Sequence, residues 1–195
     1  MSRLFVFEGP DGVGKSTVIG EVEKRLHRLG ESCVRLAFPG KEPGTLGLHV
    51  YDLHHQSERF GVRSLSSLSL QLLHVAAHVD AIEGRILPLL QQGRVVLLDR
   101  YWWSTWVYGI ADGLPVVQLK RMIAMEKLVW QGMTPRTLFL LSRSSTIVNS
   151  AIAKAYGELM EEEKGKYPVV ALVNDAGIDT IADEITSVIQ KSRAK

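Results

Sequence analysis

One cysteine is all the chain has in its 195 residues, so no disulfide can close within it. Cys33 sits in an apolar, strand-like stretch, where a buried and inert thiol is expected. Long apolar runs are missing too. The opening MSRLFVFEGP holds one basic residue and a run of four apolar residues, too short for a signal-peptide core. No segment approaches the ~20 apolar residues of a membrane span. These absences predict a soluble, cytoplasmic chain with no membrane partner. Charge of one sign is equally scarce. Lys and Arg number 23 against 21 Asp and Glu, a net charge of +2. That excludes a whole-surface attraction for nucleic acid or anionic lipid, so an anion must be gathered at a local site.

What is present is ordinary globular composition, 46% hydrophobic and 23% charged, enough for one sizeable core. Repeats, low-complexity segments and internal boundaries are absent, and one domain over residues 1–195 is expected. Apolar runs at Leu4–Phe7, Ser32–Phe38, Val95–Leu98, Thr137–Leu141 and Val169–Val173 read as strands. Helical spacing appears over Lys15–Leu29, Leu65–Gln92, Pro115–Trp130, Thr146–Glu163 and Ile178–Gln190. The long Leu65–Gln92 stretch is expected to bend near Gly84 or Pro88, while Lys41–Arg63 matches no pattern clearly. Strands alternating with helices predict an α/β fold whose sheet is parallel and covered by helices on both faces.

The sharpest motif is Gly9-Pro10-Asp11-Gly12-Val13-Gly14-Lys15-Ser16, which matches G-x-x-x-x-G-K-[ST]. It follows a predicted strand and opens a predicted helix, with Thr17 in that helix's first turn. Glycines let successive backbone N–H groups turn inward around a phosphate. The helix points its positive end at the same anion. Lys15 is placed to reach the outer phosphates of ATP, and the Ser16 hydroxyl to ligate Mg²⁺.

A second stretch is Val95–Gly109, VVLLDRYWWSTWVYG. Asp99 lies at the carboxyl end of a strand buried on both faces, where ligands of open α/β sheets sit. A carboxylate there can hold Mg²⁺ or act as a base, and Arg100 can fork onto a phosphoryl group. Trp102, Trp103 and Trp106 read as core or dimer-face aromatics. His54 and His55 are adjacent on what would be a helix, so they should face apart and make a poor metal site.

These two stretches together resemble the thymidylate kinase family. That family carries EG-x-[DE]-x-x-GK[ST], then DRY-x-x-S-x-x-[AV]-Y. The chain has Glu8-Gly9-Pro10-Asp11-Gly12-Val13-Gly14-Lys15-Ser16-Thr17, then Asp99-Arg100-Tyr101-Trp102-Trp103-Ser104-Thr105-Trp106-Val107-Tyr108. The helix ending in Ile86–Gly93 and the tail from Tyr156 to Val173 fit as well, so the resemblance covers most of the chain. It implies a three-layer α/β sandwich with a five-stranded parallel sheet in the order 2-3-1-4-5. It implies a homodimer, and transfer of a phosphoryl group from MgATP to a deoxynucleoside monophosphate, dTMP first. At matching positions, Asp11 would hold the 3′-hydroxyl and Phe38, before Pro39, would stack on the acceptor base. Arg100 would grip the acceptor phosphate, and Asp99 would assist Mg²⁺ and proton handling. Ser104 would support the acceptor pocket, and Tyr108 would favour deoxyribose. From the residues alone, Phe38 reads equally well as a core side chain closing its strand.

Two departures stand out. His78 occupies the place of an arginine that reads the thymine edge, and an imidazole offers one hydrogen bond where guanidinium offers a fork. Arg85 lies about two helical turns further on and should point elsewhere. The family's arginine-bearing lid over ATP shrinks to Ser142–Asn149, in which Arg143 is the nearest replacement. Two other readings therefore stay open: a deoxynucleoside or other nucleotide kinase, and a non-catalytic ATP-binding module.

Overall fold

The structure, a computed structural model, describes residues 2–147 and 151–192. Five strands form one parallel sheet among the described residues: β1 Leu4–Glu8, β2 Cys33–Ala37, β3 Val95–Asp99, β4 Thr137–Ser142 and β5 Val169–Val173. Their order is β2-β3-β1-β4-β5, as the resemblance implies. The chain runs from β1 out to the edge strand β2 and then back across the sheet, which leaves β1 in the middle between β3 and β4. Phe7 pairs with Asp99, and Glu8 with Leu140. This register brings the carboxyl ends of β1, β3 and β4 to one edge, where the two motifs follow.

Side chains on successive strand residues leave opposite faces of the sheet, and two separate cores result. Phe5, Phe7, Val95, Leu97, Phe139 and Leu141 pack under α1 (Lys15–Arg28). The same layer holds the helix Ile178–Lys191. Leu4, Val6, Val96, Leu98, Leu138 and Leu140 pack under α4 (Leu87–Gln91), α5 (Trp102–Ala111), α6 (Val116–Val129) and α8 (Ala151–Glu162). The chain also forms α2 (Leu46–His55), α3 (Ser67–Ala81), whose Ala81 reaches this core, and α7 (Ser144–Ile147); the C-terminal Ile178–Lys191 is α9. In β1, β3 and β4, buried on both faces, alternation of apolar and polar residues is lost, which is why they read as continuous apolar runs.

Gly30, with φ 78°, ends α1 in the left-handed conformation expected at a helix C-terminus. Between α3 and α4 the chain makes one π turn over Ile82–Ile86, with Gly84 at its middle, so the regular α-helical ladder is interrupted near the place where a bend is expected. Arg85 is carried away from His78 and pairs with Glu42 at 3.4 Å. The stretch that matched no pattern, residues 41–63, contains α2, capped by the Thr45 hydroxyl accepting from the Leu48 N–H, and a short 3₁₀ turn at Ser57–Phe60. α5 was hidden inside the second motif.

Trp102 and Trp103 are core residues, 3% and 0% exposed. The Trp103 indole donates to the Tyr167 hydroxyl at 2.9 Å, which satisfies its one polar atom. Cys33 is buried as expected, and burial with nearby Glu23 pushes its thiol up to about 11. No helix among the described residues is long and apolar enough to cross a membrane.

Candidate active site

The loop from Gly9 to Gly14 is shaped by close approach. A Cβ on Gly9 would lie 2.0 Å from the Leu141 carbonyl oxygen, and φ there is 138°. At Gly14, φ is 88° and a Cβ would lie 2.9 Å from the Asn174 amide nitrogen. Only glycine fits either place. Asn174, at the end of β5, donates from Nδ2 to the Val13 carbonyl at 2.8 Å and so ties the loop to the far strand. α1 begins directly after Gly14, so its first amides face the loop without a capping side chain.

Lys15 curls back over this loop. Its Nζ donates to the Gly9 carbonyl at 2.8 Å and to the Pro10 carbonyl at 2.7 Å. Burial, then the Arg100 charge, lowers its pKa despite Asp99, Glu8 and Asp11 nearby. A buried cation held only by carbonyls is poorly compensated, which suits a group that can turn to a phosphate. Ser16 Oγ donates to Asp99 Oδ2 at 2.7 Å. Asp99 Oδ1 is buried with no hydrogen-bond partner among the described residues. A hydroxyl beside an unsatisfied carboxylate oxygen is a hard, all-oxygen donor set, and it fits Mg²⁺.

Arg100 follows with φ 77°, a conformation that a side chain with a Cβ seldom takes. Such strain clusters at functional sites. The guanidinium is held at two ends. Nη1 donates to Ser104 Oγ at 2.8 Å, and Nη2 pairs with Asp11 Oδ1. Tyr108 donates its hydroxyl to Asp11 Oδ2 at 2.9 Å, and its ring lies 5.3 Å from the guanidinium carbon. Burial works against the Arg100 charge, but Glu8, Tyr108, Tyr156 and Asp11 outweigh it and raise its pKa. Burial also works against Asp11, yet Arg100 and the Tyr108 hydrogen bond hold its carboxyl below the ordinary value.

The structure thus brings Asp11, Lys15, Ser16, Asp99, Arg100, Ser104 and Tyr108 into one cluster, while Thr17 lies on the exposed first turn of α1. Arg143 stands just past β4, its Nη2 3.7 Å from where a Gly14 Cβ would be. The next residue, Ser144, bonds Asp175 through both its N–H and its hydroxyl. Val148 and Asn149, at the end of the shortened lid stretch, lie outside the described residues.

Phe38 and His78 behave differently from the rest. The Phe38–Pro39 peptide is cis, and the Phe38 ring is 4% exposed. His78 lies flat against it, ring centroids 4.1 Å apart and planes 11° from parallel. His78 Nδ1 meets Glu126 Oε2 at 2.9 Å, with Glu126 fully buried on α6. A carboxylate only accepts, so Nδ1 carries the proton and Nε2 is the remaining polar atom. One face of the Phe38 ring is therefore already covered by protein.

His74, one turn earlier on α3, extends this cluster. Its Nε2 lies 3.3 Å from His54 Nδ1, and His54 in turn stacks on His55 at 4.6 Å. The two adjacent histidines do not face apart, because His55 is the last residue of α2 and its ring folds back over its neighbour. Burial, then His78, His54, Arg100 and His55, push His74 from 6.5 down to about 3. Between those values the unfolded chain binds a proton that the folded chain refuses, so stability falls as pH drops from 6.5 towards 3. Discounted for partial exposure, His74 should contribute a loss of roughly 1 kcal/mol between pH 6.5 and 5. Urea unfolding at the two pH values should show this loss shrinking in His74→Gln; an unchanged difference would exclude His74 as its source.

Glu8, Tyr156, Glu126 and Asn174 were not assigned roles from the sequence. The signal for Glu8 was a carboxylate closing an otherwise apolar strand, and for Asn174 its place directly after the last strand. Glu126 sits in a helix and gave none, while Tyr156 opens the tail that fits the family but carried no role there.

A parallel sheet in this order, with a phosphate-binding loop after β1, is the P-loop NTPase fold. The family model for thymidylate kinase matches residues 7–171. The chain belongs to the thymidylate kinase family. Thymidylate kinase from Thermoanaerobacter sp. (strain X514) is 34% identical over 135 residues, covering 68% of this chain and 62% of that protein. Thymidylate kinase from Chlorobium chlorochromatii (strain CaD3) is 31% identical over 124 residues, 63% of this chain and 53% of its own. The chain therefore spans under two thirds of the length of these curated relatives. The crystal structure of thymidylate kinase from Ehrlichia chaffeensis superposes with a TM-score of 0.76 at 23% identity, over 97% of this chain and 98% of that one.

Proposed function

We propose that this chain, acting as a single domain, transfers the γ-phosphoryl group of MgATP to a deoxynucleoside monophosphate, with dTMP preferred, giving ADP and dTDP. The observation that carries this reading is the cluster of Lys15, Ser16, Asp99 and Arg100 at one sheet edge. It sets an ATP-type phosphate loop beside a half-buried, directed guanidinium.

An acceptor phosphate oxygen attacks the γ-phosphorus as the bond to the β–γ bridging oxygen breaks, and ADP leaves with that electron pair. The attacking group is already anionic near neutral pH, so little proton removal is needed. Catalysis is then positioning and charge neutralisation. The loop amides of Gly9, Gly12, Val13 and Gly14, with Thr17 behind them, cradle the donor phosphates. Lys15 exchanges the Gly9 and Pro10 carbonyls for phosphate oxygens. Ser16 and Asp99 would hold Mg²⁺, which would supply positive charge to the bound phosphates. Arg100 receives the acceptor phosphate, and Arg143 beside Gly14 supplies charge that the shortened lid lacks. Asp11 and Tyr108 take the sugar, with Ser104 behind Arg100. Phe38 and His78 bound the base. The cytoplasm and a homodimer are the setting that family membership supports.

A different acceptor base is the second reading. The His78 ring already covers one face of Phe38, and His78 offers the base edge one polar atom. Both readings are tested by incubating the protein with MgATP and a panel of nucleoside monophosphates and nucleosides while following ADP, with Lys15→Ala purified alongside as the control. Turnover greatest with dTMP is expected. Turnover greatest with another base moves the specificity, and ATP binding without turnover on any acceptor overturns the kinase reading.

A further inference from the structure

A carboxylate at the end of a central strand needs compensation, because an unpaired buried charge is strongly unfavourable. Glu8 is fully buried, and four donors converge on it. Oε1 accepts from the Tyr101 N–H at 2.7 Å and the Ser104 N–H at 3.0 Å. Oε2 accepts from the Ser104 hydroxyl at 2.8 Å and the Tyr156 hydroxyl at 3.0 Å. The first pair caps α5 from across the sheet, doing what Tyr101 at the helix start cannot do for itself. The second pair reaches further. Ser104 Oγ spends its proton on Glu8, and its lone pair receives Arg100 Nη1 at 2.8 Å.

The two ends of the guanidinium therefore differ in kind. Nη2 meets Asp11, whose side chain is 76% exposed, so water and an incoming anion compete for that end. Nη1 is fixed through Ser104, 8% exposed, to the fully buried Glu8, so solvent competes far less at that end.

We propose that Glu8 is the positioning residue for Arg100: through Ser104 and the first turn of α5 it anchors the buried end of the guanidinium, so that the Asp11 end is presented to an acceptor phosphate. This rests on the reading that Arg100 receives that phosphate. The Tyr156 hydroxyl donates its one proton to Glu8, with the Gly9 carbonyl 3.3 Å from the same oxygen, so the same carboxylate also holds α8 beside the root of the phosphate loop.

Glu8→Gln keeps the shape but turns one acceptor into a donor and removes a negative charge near Arg100. A small misdirection of a positioning group lowers rate by about 10–100-fold. That is the expected fall in kcat/KM for the acceptor nucleotide, with KM for ATP changed by less than about threefold. Ser104→Ala cuts the same chain while keeping the two backbone bonds to Glu8. Adding Glu8→Gln to it should cost less than about threefold more, since residues acting through one another are not additive. Losses that multiply, or an ATP KM that rises with the acceptor effect, would overturn the proposal. Side-chain ¹⁵N NMR of Arg100 supplies a measurement free of turnover. Guanidinium rotation should be slow in the wild type and freed in both Glu8→Gln and Ser104→Ala. If the wild type turns over no acceptor, the kinase reading falls, while unchanged rotation in both variants would defeat the anchoring role by itself.

Discussion

Lys15→Ala should lower kcat for phosphoryl transfer by about 1,000-fold without lowering the melting temperature of the nucleotide-free protein. Lys15 is 6% exposed, and its ammonium is bonded only to the Gly9 and Pro10 carbonyls. Burial and Arg100 both disfavour its charge. Without nucleotide it contributes little to folding, because two carbonyls barely offset the lost hydration of an ammonium. With triphosphate bound, the same charge lies where negative charge shifts during transfer. Removing one preorganised donor from such a site costs about 100- to 1,000-fold, and a full charge belongs at the upper end. Single-turnover kinetics and a thermal melt read the two effects separately. A kcat within tenfold of wild type would exclude Lys15 from the reaction, and a large drop in melting temperature would make it a structural residue.

The largest stability effect should come from Glu126→Ala. Glu126 is fully buried, and Oε2 holds His78 Nδ1 at 2.9 Å while Oε1 has no hydrogen-bond partner among the described residues. Removing one member of a buried pair typically costs about 3–5 kcal/mol. Losing the unsatisfied Oε1 offsets part of that, so about 3 kcal/mol is expected here. Glu126→Gln keeps an accepting oxygen for His78 and should cost about 1 kcal/mol. Urea unfolding with an unchanged m-value gives both numbers. A Glu126→Ala loss under about 1 kcal/mol would mean that His78 is held by its stack on Phe38 alone. Because the pair fixes the ring that covers Phe38, the alanine variant should also broaden acceptor choice in the nucleotide panel.

Each structural layer left a different trace in the sequence. β1, β3 and β4 were legible because strands covered on both faces must be apolar throughout. The phosphate loop was legible because its glycines, lysine and serine are adjacent in the chain and each has a separate geometric reason. α2 and the 3₁₀ turn in residues 41–63 were not, since short helices with scattered glycine and histidine carry little periodicity. α5 escaped for the opposite reason. All of its residues but Trp106, Tyr108, Ile110 and Ala111 are buried, so its apolar residues show no stripe.

Alone, then, the sequence determined the α/β alternation, the phosphate loop with Lys15 and Ser16, the Asp99-Arg100 pair at a strand end, and the thymidylate kinase resemblance. Only the tertiary structure decided which groups act on one another. Glu8 and Ser104 are 96 residues apart in the chain, Asn174 and Val13 are 161 apart, and His78 and Glu126 are 48 apart. Local propensity and periodicity reach only a few residues along the chain. Contacts of this span exist because parallel crossovers bring strand ends to one edge and lay helices across it, and it is there that buried polar groups must find their partners.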